Sequence, residues 1–496
     1  MPKTSLKINA ISNWISLFAH IIIGFLLTPF IIRSLDRKGY GIWTLICSFV
    51  GYYGLINLGI GSAITRYIAR YTAQKDIKSL NQVVSTALAI FVITSALILI
   101  LTFLFGDLLA NFLNVEKALH SNFIYLLWII CIVVGISFFG DLFSSIVIAR
   151  EHYFARNMFV VCQELLRVVL TVLFIKMGWG IIGVGLAFLI SEFCGMVFSA
   201  FLLRIFASDI KISINSVNLM TLKMLFVYGG VTTIISIADI LRINIDSFVI
   251  AKYITIEAVA IYGVGSLIIK YMTKVITSTM TVLRPRFASL EGSNNMEQLK
   301  KLFLRSLSIS AFLSFGLSFC AITFGPKFIL IWIGSDYDYS IYILSILATS
   351  YAFGLSQTPA INLMYSINKH HYYAFFTILE ALANLSLSIF LAGQYGIIGV
   401  AMGTAIPMII MKCFIMPVYV SRIIDISLSE YLKSFIKPLL TIIIFLYIFY
   451  IFDFDTLILN NNLFLYFSIV SVFGILYLSI FYFFCFKKSI KLKNAL

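Results

Sequence analysis

The sequence predicts an all-α polytopic membrane protein. About fourteen transmembrane helices are expected, in two pseudo-symmetric six-helix bundles plus a C-terminal helix pair. Three observations carry this. Hydrophobic residues make up 61% of the 496 positions and charged residues 11%, whereas soluble domains are roughly half apolar and about a quarter charged. Apolar stretches recur from residue 11 to residue 485, and a helix needs roughly 20 apolar residues to cross a hydrocarbon core about 30 Å thick. The third observation is an internal repeat. Solid apolar runs also argue against a β-barrel, whose strands alternate over ~10 residues.

In order, the spans lie near 11–33, 41–62, 83–105, 122–148, 158–177, 180–203, 223–250, 259–283, 302–324, 341–365, 374–392, 397–419, 435–452 and 463–485. Lys3 and Lys7 precede the first, which is too long for a cleaved signal peptide and is followed by no small-residue cleavage pattern. It reads as a retained anchor. The connecting loops are short and leave no room for a separate soluble domain. With the N-terminus in the cytoplasm, 24 of the 36 Lys and Arg fall in cytoplasmic segments. Among them are Arg66, Arg70, Lys75 and Lys78, then Arg284, Arg286, Lys300, Lys301 and Arg305, and the tail with Lys487, Lys488, Lys491 and Lys493. This is the positive-inside bias. It accounts for the net charge of +15 with no nucleic-acid partner, and it places both termini in the cytoplasm.

The repeat has an offset of 216 residues. Gly-Ile-Ile-Gly-Val occupies 180–184 and again 396–400, Glu164 falls on Glu380, and His152-Tyr153-Phe154 lies beside His371-Tyr372-Tyr373. A looser match links Tyr40-Gly41 with Tyr262-Gly263. An even number of spans per repeat gives two halves of the same orientation, related by an axis along the membrane normal. The expected organisation is a six-helix lobe over 1–210, a second over 211–425, and helices 13 and 14 with the tail over 426–496. Pro29, Pro359 and Pro407 fall within spans, where proline removes a helix hydrogen bond and bends the helix.

Ionisable groups inside a bilayer cost several kcal/mol unless paired or hydrated, so they are the candidate sites. Lys270 and Lys274 are four apart in the eighth span, on one helical face. They suit a cationic wall for an anionic substrate; the plainer reading is a separate acid for each. Asp239, Arg242 and Asp246 share a face of the seventh span, as a salt-bridge cluster or a transport element. Arg66 either anchors the second span or lines the inner mouth of a cavity. Glu164 has Arg167 one turn away, while Glu380 has no partner within its own helix. An opposite charge favours the ionised carboxylate and burial the protonated one, so Glu380 is expected to be the better proton relay and Glu164 the structural residue. Glu192, Asp141 and Lys412 read as bundle contacts, and His20 as a hydrogen-bonded packing residue rather than a proton carrier.

Chemistry of other kinds finds no support. The seven cysteines sit inside predicted spans without a CxxC, and the five histidines lack metal-ligand spacing, so no disulfide, metal or cofactor is expected. There is no phosphate-binding glycine loop with a lysine, no nucleophile elbow, and no carboxylate pair in an extramembrane domain. No catalytic residue is assigned.

The stretches Leu26–Leu35 with Pro29, Tyr40-Gly41-Ile42-Trp43 and Leu58–Tyr67 resemble the bacterial polysaccharide flippases called Wzx. These belong to the multidrug/oligosaccharidyl-lipid/polysaccharide exporter superfamily. Asp246–Ile250 followed by Tyr262 is similar to that family's seventh-to-eighth span junction. The resemblance covers essentially the whole chain. It implies a bacterial inner-membrane protein that moves an undecaprenyl-diphosphate-linked oligosaccharide, an O-antigen or capsule repeat unit, to the periplasmic leaflet. Membrane lipid is the other partner, with polymerase and chain-length proteins of the same pathway. Lys270 and Lys274 fit the basic cavity residues such a protein needs, and members are held to be ion-coupled. The alternatives are a lipid II flippase of the same superfamily and a membrane-embedded polymerase or acyltransferase. A polymerase should carry a large external loop and an acyltransferase a buried catalytic histidine; the external loops here are short, and His20 has no evident partner in sequence.

Overall fold

The computed structural model describes residues 6–56, 60–150, 152–367, 369–451 and 463–485. The side chains of some further residues, Asp239 among them, lie outside the described set. So do the tail lysines. All the described elements are helical. The chain forms two compact units, Met1–Ala260 and Ile261–Leu496, so the seventh span packs with the first unit.

The helices of the first unit are α1 (Leu6–Ile56), α2 (Ile60–Gln74), α3 (Ile77–Phe112), α4 (Lys117–Ala149), α5 (Tyr153–Lys176), α6 (Gly180–Phe206) and α7 (Leu219–Tyr253). α1 holds two predicted spans, separated at Asp36, where φ is 60°. The Asp36 carboxylate accepts the Gly39 N–H at 2.8 Å and holds that turn. The first half of α1 runs alongside α5 in the same direction, with Asn157 donating to Ser12 and Glu164 reaching His20. The second half runs against α7, pairing Ser48 with Ser247 and setting Gly51 beside Asn244. The chain therefore reverses at Asp36. The core between α3, α4 and α6 is apolar, with Phe91 stacked on Phe138 at 5.5 Å.

In the second unit α8 (Ile256–Thr281, entering from the first unit) leads to α9 (Arg284–Gly292), α10 (Met296–Trp332), α11 (Tyr339–Ser356) and α12 (Thr358–Ser366). There follow α13 (His370–Ile409), α14 (Met416–Ile423), α15 (Leu428–Ile451) and α16 (Leu463–Cys485). Two of the three predicted span prolines lie at helix irregularities, whereas Pro29 sits within continuous helix in α1, seven residues before the break at Asp36. Pro359 lies in the first turn of α12, just past a break at Gln357, and Pro407 precedes a π-helical segment, Ile410–Ile415. The added pair α15 and α16 packs on α10 through an aromatic cluster that includes Phe319, Phe324, Phe449 and Phe473. Three tyrosines anchor the pair. Tyr431 donates to the buried Gln357, Tyr466 to the Phe324 carbonyl at 2.9 Å, and Tyr477 to the Phe312 carbonyl.

The 216-residue repeat recurs in the backbone. Gly180 and Gly396 both take positive φ, 50° and 59°, a region glycine enters without a Cβ penalty. Three residues on, Gly183 and Gly399 close each hairpin. A Cβ on Gly183 would lie 2.9 Å from the Phe174 Cβ, and one on Gly399 only 2.1 Å from the Leu391 carbonyl oxygen.

Eleven described stretches are long and apolar enough to cross a bilayer. Two of them, of 42 and 52 residues, contain the breaks at Asp36 and Gly396. Each is too long for one crossing at 1.5 Å per residue and counts as two spans. With α7 these make up the fourteen expected.

Candidate functional site

α8 is amphipathic within a membrane-spanning unit. Ile269, Met272, Ile276 and Met280 are buried, while Lys270, Lys274, Ser278 and Thr281 are exposed. Steps of four, four and three residues keep the polar set on one helical face. It extends over roughly 17 Å at 1.5 Å per residue. Thr273, Thr277 and Thr281 donate to carbonyls four residues back at 2.7–2.8 Å, which leaves their oxygens as acceptors. Charged side chains in a membrane-spanning helix cost free energy unless they are paired or hydrated.

In the first unit, Arg66 is exposed on α2 and Arg242 is half-buried on α7. Asp246 is buried, near enough to Tyr52 to act on it electrostatically. With the Asp239 side chain outside the described residues, the three-residue face of the seventh span is only partly visible.

Glu164 sits in a larger cluster than its own helix supplies. Arg167 Nη1 donates to it at 3.1 Å, and His20 Nδ1 from α1 lies 3.1 Å from its Oε1. Arg167 also reaches Glu192 on α6 at 3.7 Å and Ser191 at 3.3 Å, and lies over the Phe188 ring at 4.4 Å. Gln163 donates to Glu192 at 2.9 Å. Glu164 and Arg167 are 13% and 16% exposed, His20 37%. His20 is thus hydrogen-bonded, as expected, with its partner on another helix.

Glu380 is paired as well. Lys412 Nζ lies 3.2 Å from its Oε2, and the two side chains are only 2% and 1% exposed. Lys412 belongs to the π-helical segment and also sits 5.2 Å from the centre of the Tyr373 ring. Nearby, Ser388 and Thr404 both donate to Asn384 Oδ1, at 2.8 and 3.3 Å. Glu380 therefore does not reach the aqueous interface, and its partner comes from beyond the Gly396 hairpin. Helical spacing within one span could not reveal that pairing, nor the one between His20 and Glu164. No group of three or more His, Cys, Asp or Glu side chains among the described residues could hold a metal ion.

The family of polysaccharide biosynthesis proteins matches residues 30–342. A candidate O-antigen transporter of Shigella flexneri is 21% identical over 382 residues, covering 77% of this chain and 90% of its own length. The uncharacterized membrane protein EpsK of Bacillus subtilis is 22% identical over 438 residues, covering 87% and 86%. Among solved structures, the lipid II flippase MurJ in an inward closed conformation gives a TM-score of 0.73 at 16% identity, over 96% of this chain and 98% of its own. An inward-facing multidrug resistance MATE transporter of the MOP superfamily gives 0.71 at 15%, over 84% and 96%. Identities this low establish the fold alone. With the matched family spanning more than half of the sequence, the chain is a multi-pass membrane protein of the polysaccharide biosynthesis family, with the fold seen in the MurJ and MATE structures.

Proposed function

We propose that this protein moves an undecaprenyl-diphosphate-linked oligosaccharide, an O-antigen or capsule repeat unit, from the cytoplasmic to the periplasmic leaflet of a bacterial inner membrane by alternating access. The observation that carries this reading is the exposed Lys270–Lys274 face of α8 in a membrane-spanning unit. Side chains one turn apart have Cβ atoms about 5–6 Å from each other, a spacing that lets two ammonium groups share one diphosphate. The hydroxyl oxygens below them accept hydrogen bonds from sugar. The O-antigen transporter relative supports the same substrate class. The likeness to MurJ concerns the fold and does not make lipid II the substrate.

Arg66 and Arg242 are the further cavity candidates in this reading. Glu164, Glu380 and Asp239 remain the ion-coupling candidates. In this reading both termini face the cytoplasm, which the positive-inside distribution of Lys and Arg supports. The step is transport without catalysis, and the polymerase and chain-length proteins of the pathway are the partners that receive the product.

Replacing Lys270 and Lys274 together by Ala should abolish surface polysaccharide at unchanged membrane protein levels. Lys→Arg at both positions keeps the charge and should retain more export. Full export by the double Ala variant would overturn the cationic-face assignment.

A further inference from the structure

Arg150 and Arg167 are held by acids, Asp209 and Glu164. Arg284, the first residue of α9, is held by neutral groups instead. Its Nε donates to Asn362 Oδ1 at 2.7 Å, and its guanidinium lies 4.6 Å from the centre of the Tyr365 ring. Asn362 is itself buried, and its Nδ2 donates to the Met280 carbonyl at 2.9 Å. The orientation of that amide is forced, because an arginine can only donate and a carbonyl can only accept. Ser366 bonds the carbonyls of Arg284 and Asn362, at 3.0 and 2.8 Å, and the buried Phe287 and Leu290 seat α9. The end of α8, the start of α9 and α12 thus form one frame around the arginine.

We propose that Arg284, set in this frame, is a recognition site for the phosphate of a membrane lipid. The lipid is the diphosphate-linked substrate on its way to Lys270 and Lys274, or an anionic phospholipid of the same leaflet. This rests on the transport reading above, which places the end of α8 at the cytoplasmic interface.

With Nε given to Asn362 and one face given to Tyr365, the guanidinium presents its Nη1–Nη2 edge. Among the described residues no carboxylate pairs with it, and the residue is exposed. Two parallel N–H groups on a planar edge match two oxygens of one phosphate, a geometry that an ammonium group cannot copy. Fixing the side chain beforehand lowers the ordering cost of binding. A plain interfacial anchor needs positive charge alone and has no use for such a frame. Lys274 lies ten residues earlier, about 15 Å along the helix axis at 1.5 Å per residue, which sets Arg284 apart from the Lys270–Lys274 face.

The test titrates the full-length protein in a neutral detergent with undecaprenyl diphosphate in one arm and phosphatidylglycerol in the other, and counts bound lipid by native mass spectrometry. Arg284→Lys keeps the charge and loses the planar edge. It should bind one of the two lipids about tenfold more weakly than wild type, or worse, as befits a lost charge-assisted hydrogen bond. Arg284→Gln places an amide nitrogen where Nε stood, so it keeps the bond to Asn362 and the frame, and should lose at least as much. Arg286→Lys, at an exposed arginine two residues on, should bind as wild type does. Weakening towards undecaprenyl diphosphate assigns the site to the substrate, and weakening towards phosphatidylglycerol alone assigns it to the surrounding phospholipid. Wild-type affinity of Arg284→Lys for both lipids overturns the proposal, and so does an equal loss in Arg286→Lys. If Arg284→Lys melts far below wild type, Arg284→Gln decides alone, and its full affinity for both lipids has the same force. Failure of wild type to move lipid-linked oligosaccharide between leaflets would overturn the transport reading instead, and would leave the binding result standing.

Discussion

Glu164 and Glu380 occupy equivalent places in the two repeats, eleven and ten residues after the starts of α5 and α13. Their surroundings differ. Glu164 is partly exposed and shares Arg167 with Glu192, with His20 on its other side. Glu380 is buried against Lys412. One repeat thus holds a partly exposed cluster drawn from three helices, while the other holds a buried pair. In the second unit the pair joins the two arms of the Gly396 hairpin, and in the first the cluster joins α1, α5 and α6. Spacing alone favours Glu380 as relay and Glu164 as brace; the partners that the fold adds, Lys412 and His20, come from other elements.

The contrast can be broken most forcefully at the closed pair. Removing one partner of a buried salt bridge costs about 3–5 kcal/mol, because the other charge is left uncompensated. Lys412→Met should therefore sharply lower the thermal stability of the purified protein in detergent. Lys412→Met combined with Glu380→Leu should recover most of it. A single variant as stable as wild type would show that the pair does not hold the hairpin.

The hairpin glycines give the next largest effect. Overpacking costs about 1–3 kcal/mol. Ala at 399 would press on the backbone carbonyl of Leu391, whereas Ala at 183 meets chiefly side-chain carbons of Phe174 and Trp179. Gly399→Ala should be the more destabilising in the same melting assay. Equal effects would mean that the two hairpins relax alike. The smallest effect is expected at Glu164→Gln. Gln keeps the shape and Arg167 keeps Glu192 as a partner, so its melting temperature should fall less than that of Lys412→Met. A loss of stability as large as that of Lys412→Met would erase the distinction between the two repeats.

Much of this architecture is legible in the sequence, for a physical reason. In a bilayer each span must satisfy its own backbone and present an apolar surface, so hydropathy alone reports the spans. The repeated Gly-Ile-Ile-Gly-Val likewise announces two hairpins, because its first glycine takes a positive φ that other residues resist. The polar face of α8 could be read because Lys270 and Lys274 lie on one helix. The pairings could not. His20 is 144 residues from Glu164, and Lys412 meets Glu380 only after the chain reverses at Gly396 and loosens into the π-helical turn after Pro407. Neighbour spacing along one helix carries no information about a partner on another.

The central claim, that this chain carries a lipid-linked oligosaccharide across the membrane against a cationic face, meets its most direct test with purified protein in vesicles. Undecaprenyl-diphosphate-linked oligosaccharide is placed in one leaflet, and its arrival in the other is read by accessibility to an added lectin or glycosidase. Protein-dependent transfer is expected, lost when Lys270 and Lys274 are both Ala and largely kept when both are Arg. Transfer no faster than in protein-free vesicles, or equal transfer by the double Ala variant, would contradict it.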